Sequence, residues 1–120
     1  AKDFSRIHVE GFGEKHEVIY ENYGQVQNTG YFFAQRFFYP GDAFYNPEKP
    51  VEILALPVSG GWLKLSSVIE YAKLVKPKVC FPVHDGMLKV KGTSHMVPEK
   101  FLPPEGIAFT IIADGETKEF

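Results

Sequence analysis

A single cysteine, Cys80, stands in 120 residues, so no intrachain disulfide can staple this chain. Charge of one sign is missing too. Thirteen basic against fifteen acidic residues leave a net charge of −2, with no field to draw in nucleic acid or an anionic membrane. No apolar run approaches the ~20 residues that span a bilayer. The opening stretch AKDFSRIHVE lacks the apolar core of a signal peptide. Repeats and low-complexity segments are absent. These gaps together point to a soluble, cytoplasmic protein. The chain begins at Ala1, as expected after loss of an initiator Met or within a longer polypeptide.

Aromatic residues are plentiful. Eleven Phe and six Tyr, within a composition that is 44% hydrophobic, suit one domain over residues 1–120 with an aromatic interior. RIHVEG (6–11) alternates and reads as a short strand. Residues 14–24 read as a short extended core at 17–20, then a polar turn at 22–24. TGYFFAQRFFYP (29–40) reads as a hairpin turning at Ala34-Gln35-Arg36. VEILALPV (51–58) is nearly continuous in apolar residues, as a strand covered on both faces would be.

The stretch LKLSSVIEYAKLV carries the main helix, about residues 65–75. Leu65, Val68, Ile69, Ala72 and Val75 form one apolar stripe, Ser67 and Glu70 match a capping box, and Pro77 ends it. KVCFPVH (78–84) is then a second buried strand, which makes strand, helix and strand a βαβ crossover. A short helix is expected near 98–102. A terminal strand, an Asp114-Gly115 turn and a last short strand follow. The class is α/β with more strand than helix.

Asp42 follows an aromatic strand that stops at Pro40-Gly41, and His84 ends the strand VCFPV. Ligands bind at the carboxyl ends of strands in open α/β sheets, and imidazole and carboxylate are standard ligands for Zn²⁺, Mn²⁺ or Fe²⁺. The plainer reading makes Asp42 a turn residue and His84 a strand cap, since no H-x-H or H-E-x-x-H motif is present. His16, in EGFGEKH, reads by itself as a surface histidine beside Glu14, Lys15 and Glu17. His8 is expected to be structural, His95 an exposed loop residue, and Cys80 a buried inert thiol. SGGW (59–62) lacks the Lys and spacing of a P-loop, and Ser59 lacks a G-x-S-x-G elbow.

Taken in order, NTGYFFAQRFFYPGDAF, VEILALPVSGGWLKLSSVIEYAKLVKPKVCFPVHDGML and ADGETKEF resemble the C-terminal half of metallo-β-lactamase-fold hydrolases. The resemblance covers nearly the whole chain and is nearest the ascorbate-6-phosphate lactonase-like branch. It implies half of an αββα sandwich with metal ions at one edge between two sheets. It also implies that Asp42 bridges two ions, that His84 binds one of them, and that His16 binds the other. The family's H-x-H-x-D-H signature belongs to the N-terminal half and is absent from these residues.

Three functions follow as expectations. In the first, the chain is a C-terminal fragment of a metal-dependent hydrolase that cleaves an ester, lactone or phosphodiester with metal-bound hydroxide. It would be inactive alone, with a divalent metal (Zn, Mn or Fe) bound weakly if at all. Its partners would be the missing N-terminal half and a small-molecule substrate, with no nucleic acid and no membrane. In the second, a non-catalytic half-fold homodimerises to cover its sheet. In the third, the half-fold is a binding module that uses no metal. Retention of Asp42, His84 and His16 together favours the first.

Overall fold

Shared strand direction decides where a site can form in this protein. The structure, a computed structural model, describes every residue except 1, 5, 14, 22 and 24, and only the backbone of residues 2–4. Among the described residues, seven strands make one sheet in chain order: β1 (Lys2–Phe4), β2 (Ile7–Phe12), β3 (Gly30–Phe33), β4 (Phe37–Tyr39), β5 (Ile53–Pro57), β6 (Val79–Val83) and β7 (Ala108–Phe109). The first four pair antiparallel, and β4 through β7 pair parallel. It follows that β2, β4, β5, β6 and β7 all run the same way.

The expected hairpin is present. Ala34 and Gln35 both take positive φ, 53° and 54°, as the central residues of a type I′ turn do. Arg36 N–H closes it on the Phe33 carbonyl at 3.0 Å. The crossover is present as well: β5 leads through helix α1 (Leu65–Val75) to its parallel neighbour β6. Val68, Ala72 and Val75 are buried, and Leu65 and Ile69 pack beside them, so the apolar stripe faces the sheet as its period requires. Lys76 ends the helix in the left-handed conformation, its N–H bonded to the Ala72 carbonyl at 2.8 Å, and Pro77 follows.

The capping box does not form. The helix begins at Leu65, and the amides of Ser67 and Val68 already bond the Lys64 carbonyl at 3.0 and 3.2 Å. Ser67 therefore lies inside the first turn, where its side chain cannot cap. The second helix, α2 (Thr93–Phe101), starts earlier than expected and carries Pro98 within it. Residues 17–20 form no strand; Val18, Ile19 and Tyr20 are exposed. Asn22 and Gly24, at the ends of the turn expected there, lie outside the described residues. The last short strand is absent among the described residues. Glu116 N–H bonds the Ala113 carbonyl to make the turn, and Phe120 then stacks on Phe81, with 5.8 Å between centroids.

Alternation divides the sheet into two faces. Phe32, Phe38, Leu54, Leu56 and Cys80 point to the helices and join Val68, Tyr71, Ala72, Leu102 and Ile107 in one core. The opposite face carries an aromatic row, Tyr31, Phe33, Phe37, Phe81 and Phe120, with successive rings 5.6–6.2 Å apart. All of β5 is buried.

Cys80 is 0% exposed, and burial pushes its thiol up to about 12. Only the thiolate reacts, so about three units above the usual value lowers the reactive fraction at pH 8 by about a thousandfold. Ellman's reagent is expected to label the folded protein negligibly and the denatured chain at once. Rapid labelling of the native protein would contradict this packing.

Candidate metal centre

The carboxyl ends of β2, β4, β5 and β6 meet along one edge of the sheet, where α/β folds place their ligands. His16 follows β2, Asp42 follows β4, Trp62 follows β5, and His84 is the first residue past β6. The structure brings His16, Asp42 and His84 together at this edge. Asp42 Oδ1 lies 3.1 Å from His84 Nε2, and Asp42 Oδ2 lies 3.6 Å from His16 Nε2. One carboxylate thus gives one oxygen to each of two imidazoles.

The Asp42 turn is held from both sides. Asn28 Oδ1 accepts from the Asp42 amide, and Asn28 Nδ2 donates to the Pro40 carbonyl, both at 2.9 Å. Gly41 between them has φ 74°, and a Cβ there would lie 2.5 Å from Asn28 Oδ1. Gly is therefore needed both for the backbone and for the close approach. Gly41→Ala is expected to destabilise the protein by about 1–3 kcal/mol and to displace Asp42, read by thermal melting. Glu17 laces the other loop in: its amide donates to the Asp42 carbonyl at 2.9 Å, and its Oε1 accepts from the Phe44 amide at 3.3 Å.

His16 is no surface histidine. Its side chain is only 14% exposed, against 37% for Asp42 and for His84, so the site opens to solvent on the His84 side. Glu14, the neighbour in the plainer reading, lies outside the described residues. His16 Nδ1 is 2.6 Å from the Glu17 carbonyl, which can only accept, so Nδ1 carries a hydrogen. In the neutral ring Nε2 then turns a lone pair toward Asp42 Oδ2. Two acceptors then face each other across 3.6 Å, a gap that a cation or a second proton would bridge favourably.

The spacing fits a cation. Two ligands each about 2.1 Å from an ion, subtending about 95–118°, lie about 3.1–3.6 Å apart. Among the described residues no group of three or more His, Cys, Asp or Glu is placed to hold a metal ion. The arrangement is instead two His–Asp pairs that share Asp42. The negative charge of Asp42 also reaches Tyr39, whose hydroxyl is held above its ordinary value first by burial and then by that carboxylate.

Trp62 forms the wall between the imidazoles. Its indole meets His16 at 5.8 Å, His84 at 6.1 Å and Phe44 at 5.1 Å, each edge to face. A Cβ on Gly60 would lie 2.7 Å from Trp62 Nε1, so only glycine admits the indole. That Nε1–H is buried without a hydrogen-bond partner among the described residues, a state that costs about 1–3 kcal/mol. SGGW thus shapes the site rather than a phosphate loop. His95 corrects its expectation: it lies on α2, is 14% exposed, and its Nε2 meets Asp85 Oδ2 at 2.5 Å. His8 lies in β2 with Nε2 3.5 Å from Glu10, as a structural residue would.

Residues 2–84 match the beta-lactamase superfamily domain. The chain belongs to that family. This beta-lactamase superfamily domain is similar to Protein Rv0786c of Mycobacterium tuberculosis, 28% identical over an 89-residue alignment that covers 70% of this chain and 42% of that protein. Its fold is similar to that of Igni18, a novel metallo hydrolase from the hyperthermophilic archaeon Ignicoccus hospitalis KIN4/I. The TM-score is 0.69 at 16% identity, covering 97% of this chain and 55% of the other. The domain therefore spans about half the length of the proteins it matches. No helix among its described residues is long and apolar enough to cross a membrane.

Asn28 and Trp62 were not singled out as site residues from the sequence. Trp62 had one signal, its place just past a buried parallel strand. Asn28 had none, because it acts through a turn 12 to 14 residues away.

Proposed function

We propose that the chain contributes part of a two-metal site to a metal-dependent hydrolase acting on an ester, a lactone or a phosphodiester. One observation carries this reading: Asp42 divides its two oxygens between His16 and His84 at the carboxyl edge of the sheet. Divalent cations bound there would polarise the scissile bond and lower the pKa of a bound water. His16, with Nδ1 tied to the Glu17 carbonyl, presents Nε2 as a ligand atom. His84, the more open imidazole, does the same toward the solvent side. Asn28 keeps the Asp42 carboxylate aimed between them, and Trp62 excludes water from one wall and offers an unused donor.

Each ion would find two ligands here, one imidazole and one shared carboxylate, where catalytic sites use at least three from protein. The remainder would come from a further segment bearing the absent H-x-H-x-D-H motif. That segment would pack on the aromatic face of Phe33, Phe37 and Phe81, which the helices leave uncovered. The 120 residues alone are expected to bind metal weakly and to lack activity.

Native mass spectrometry of the protein titrated with Zn²⁺ or Mn²⁺ tests the reading, with Asp42→Ala beside it. Uptake that the variant loses supports it. Equal uptake by the variant would overturn it. A metal-free dimer would favour the non-catalytic half-fold that pairs through the same aromatic face.

A further inference from the structure

His84 sits where a non-glycine residue rarely does. Its φ is 64°, in the left-handed region, at the end of β6. Such a conformation is costly for a residue with a Cβ and persists only when the surroundings over-determine it. The next residue supplies the surroundings. The Asp85 carbonyl accepts from the Leu88 amide at 3.1 Å and from Lys91 Nζ at 2.6 Å. The Asp85 carboxylate meets His95 Nε2 at 2.5 Å, and Lys91 Nζ stands 4.0 Å from its other oxygen. Asp85 is 21% exposed and His95 14%, so water competes little for these bonds. His95 rides on α2, which packs against α1.

The geometry points to a clamp in which His95 and Lys91 grip Asp85 and thereby position His84 toward Asp42. These are positioning residues, since none of the three touches the His84 ring or Asp42. The inference rests on the metal-site reading for its purpose, but its geometry can be read without metal. The clamp ties the open side of the site to α2. The bonds to Asp85 from Leu88 and Lys91, three and six residues on, fix the loop locally, while His95 fixes it to the helical layer.

The test is nuclear magnetic resonance on the metal-free protein, comparing His95→Ala, His95→Gln and Lys91→Met with the unsubstituted chain. Glutamine can keep a donor near the position of imidazole Nε2. His95→Ala is expected to shift the His84 backbone signals and lower its order parameter from about 0.85 to below about 0.6. His16 signals should stay in place, and His95→Gln should restore those of His84. Lys91→Met, which removes the bond to the Asp85 carbonyl, should move His84 in the same direction and serves if His95→Ala does not fold. His84 signals unchanged in both would overturn the clamp. Cobalt titration separates the two readings. Affinity about tenfold weaker in His95→Ala, recovered in His95→Gln, is expected for an outer partner of a ligand. If Asp42→Ala takes up cobalt as the unsubstituted protein does, the metal reading fails while the order-parameter result still decides the clamp.

Discussion

Replacing Asp42 by Ala is expected to abolish metal uptake while leaving the fold nearly untouched. The carboxylate serves both imidazoles, one oxygen each at 3.1 and 3.6 Å, so its loss removes a ligand from both proposed ions at once. Partners one shell further out already change metal affinity by about 10–100-fold, and a shared ligand should exceed the upper end of that range. On the proposed function, hydrolysis by the protein with its further segment should fall with it. Stability should change by about 1 kcal/mol or less, because Asp42 is more than a third exposed and such ion pairs contribute little. Asp42→Asn, which keeps the shape and the turn, should behave like Asp42→Ala in calorimetric metal titration. Retained affinity in Asp42→Asn would mean that charge at this point does not hold a cation.

Phe38→Ala is expected to do the reverse. Phe38 is 0% exposed and sits on the helix-facing side of β4, with Phe32 at 5.9 Å and Phe12 at 6.2 Å. Truncating a fully buried Phe costs about 3–5 kcal/mol through lost burial and the cavity left behind. That is a large share of the roughly 5–15 kcal/mol a domain of this kind holds. Denaturant titration should show it as a lowered midpoint. The neighbouring Phe37, on the opposite face, is only partly buried and stacks on Phe81 at 5.9 Å. Its truncation should cost less, about 1–2 kcal/mol, while the aromatic face is open. In a protein where a further layer covers that face, the two costs should converge. A Phe37 variant that equals the Phe38 variant would therefore reveal the cover.

The central strands were legible in the sequence because their pattern is unambiguous. The apolar run at 51–58, the helix stripe ending before Pro77 and the strand to His84 appear in the fold as β5, α1 and β6. Register follows from the same alternation, which sends Leu54 and Cys80 to one face and Phe37 and Phe81 to the other. The capping box failed because a match of residue types does not say where the first turn begins. The final strand is not formed among the described residues; the tail instead ends with Phe120 stacked on Phe81. For the site, Asp42 and His84 were visible as polar residues ending apolar strands, and His16 through the family resemblance. Asn28, Trp62 and the Asp85–His95 pair were not, because each acts through a contact between segments that no spacing along the chain encodes.

The most direct test is anomalous scattering from crystals of the protein soaked with Zn²⁺ and recorded at the zinc edge, together with the segment proposed above to complete the site. A bridged site predicts two peaks flanking the Asp42 carboxylate, one within bonding distance of His16 Nε2 and one of His84 Nε2. Peaks elsewhere, or a single hydrogen-bonded His84–Asp42 pair with no density beside it in the assembled protein, would contradict it.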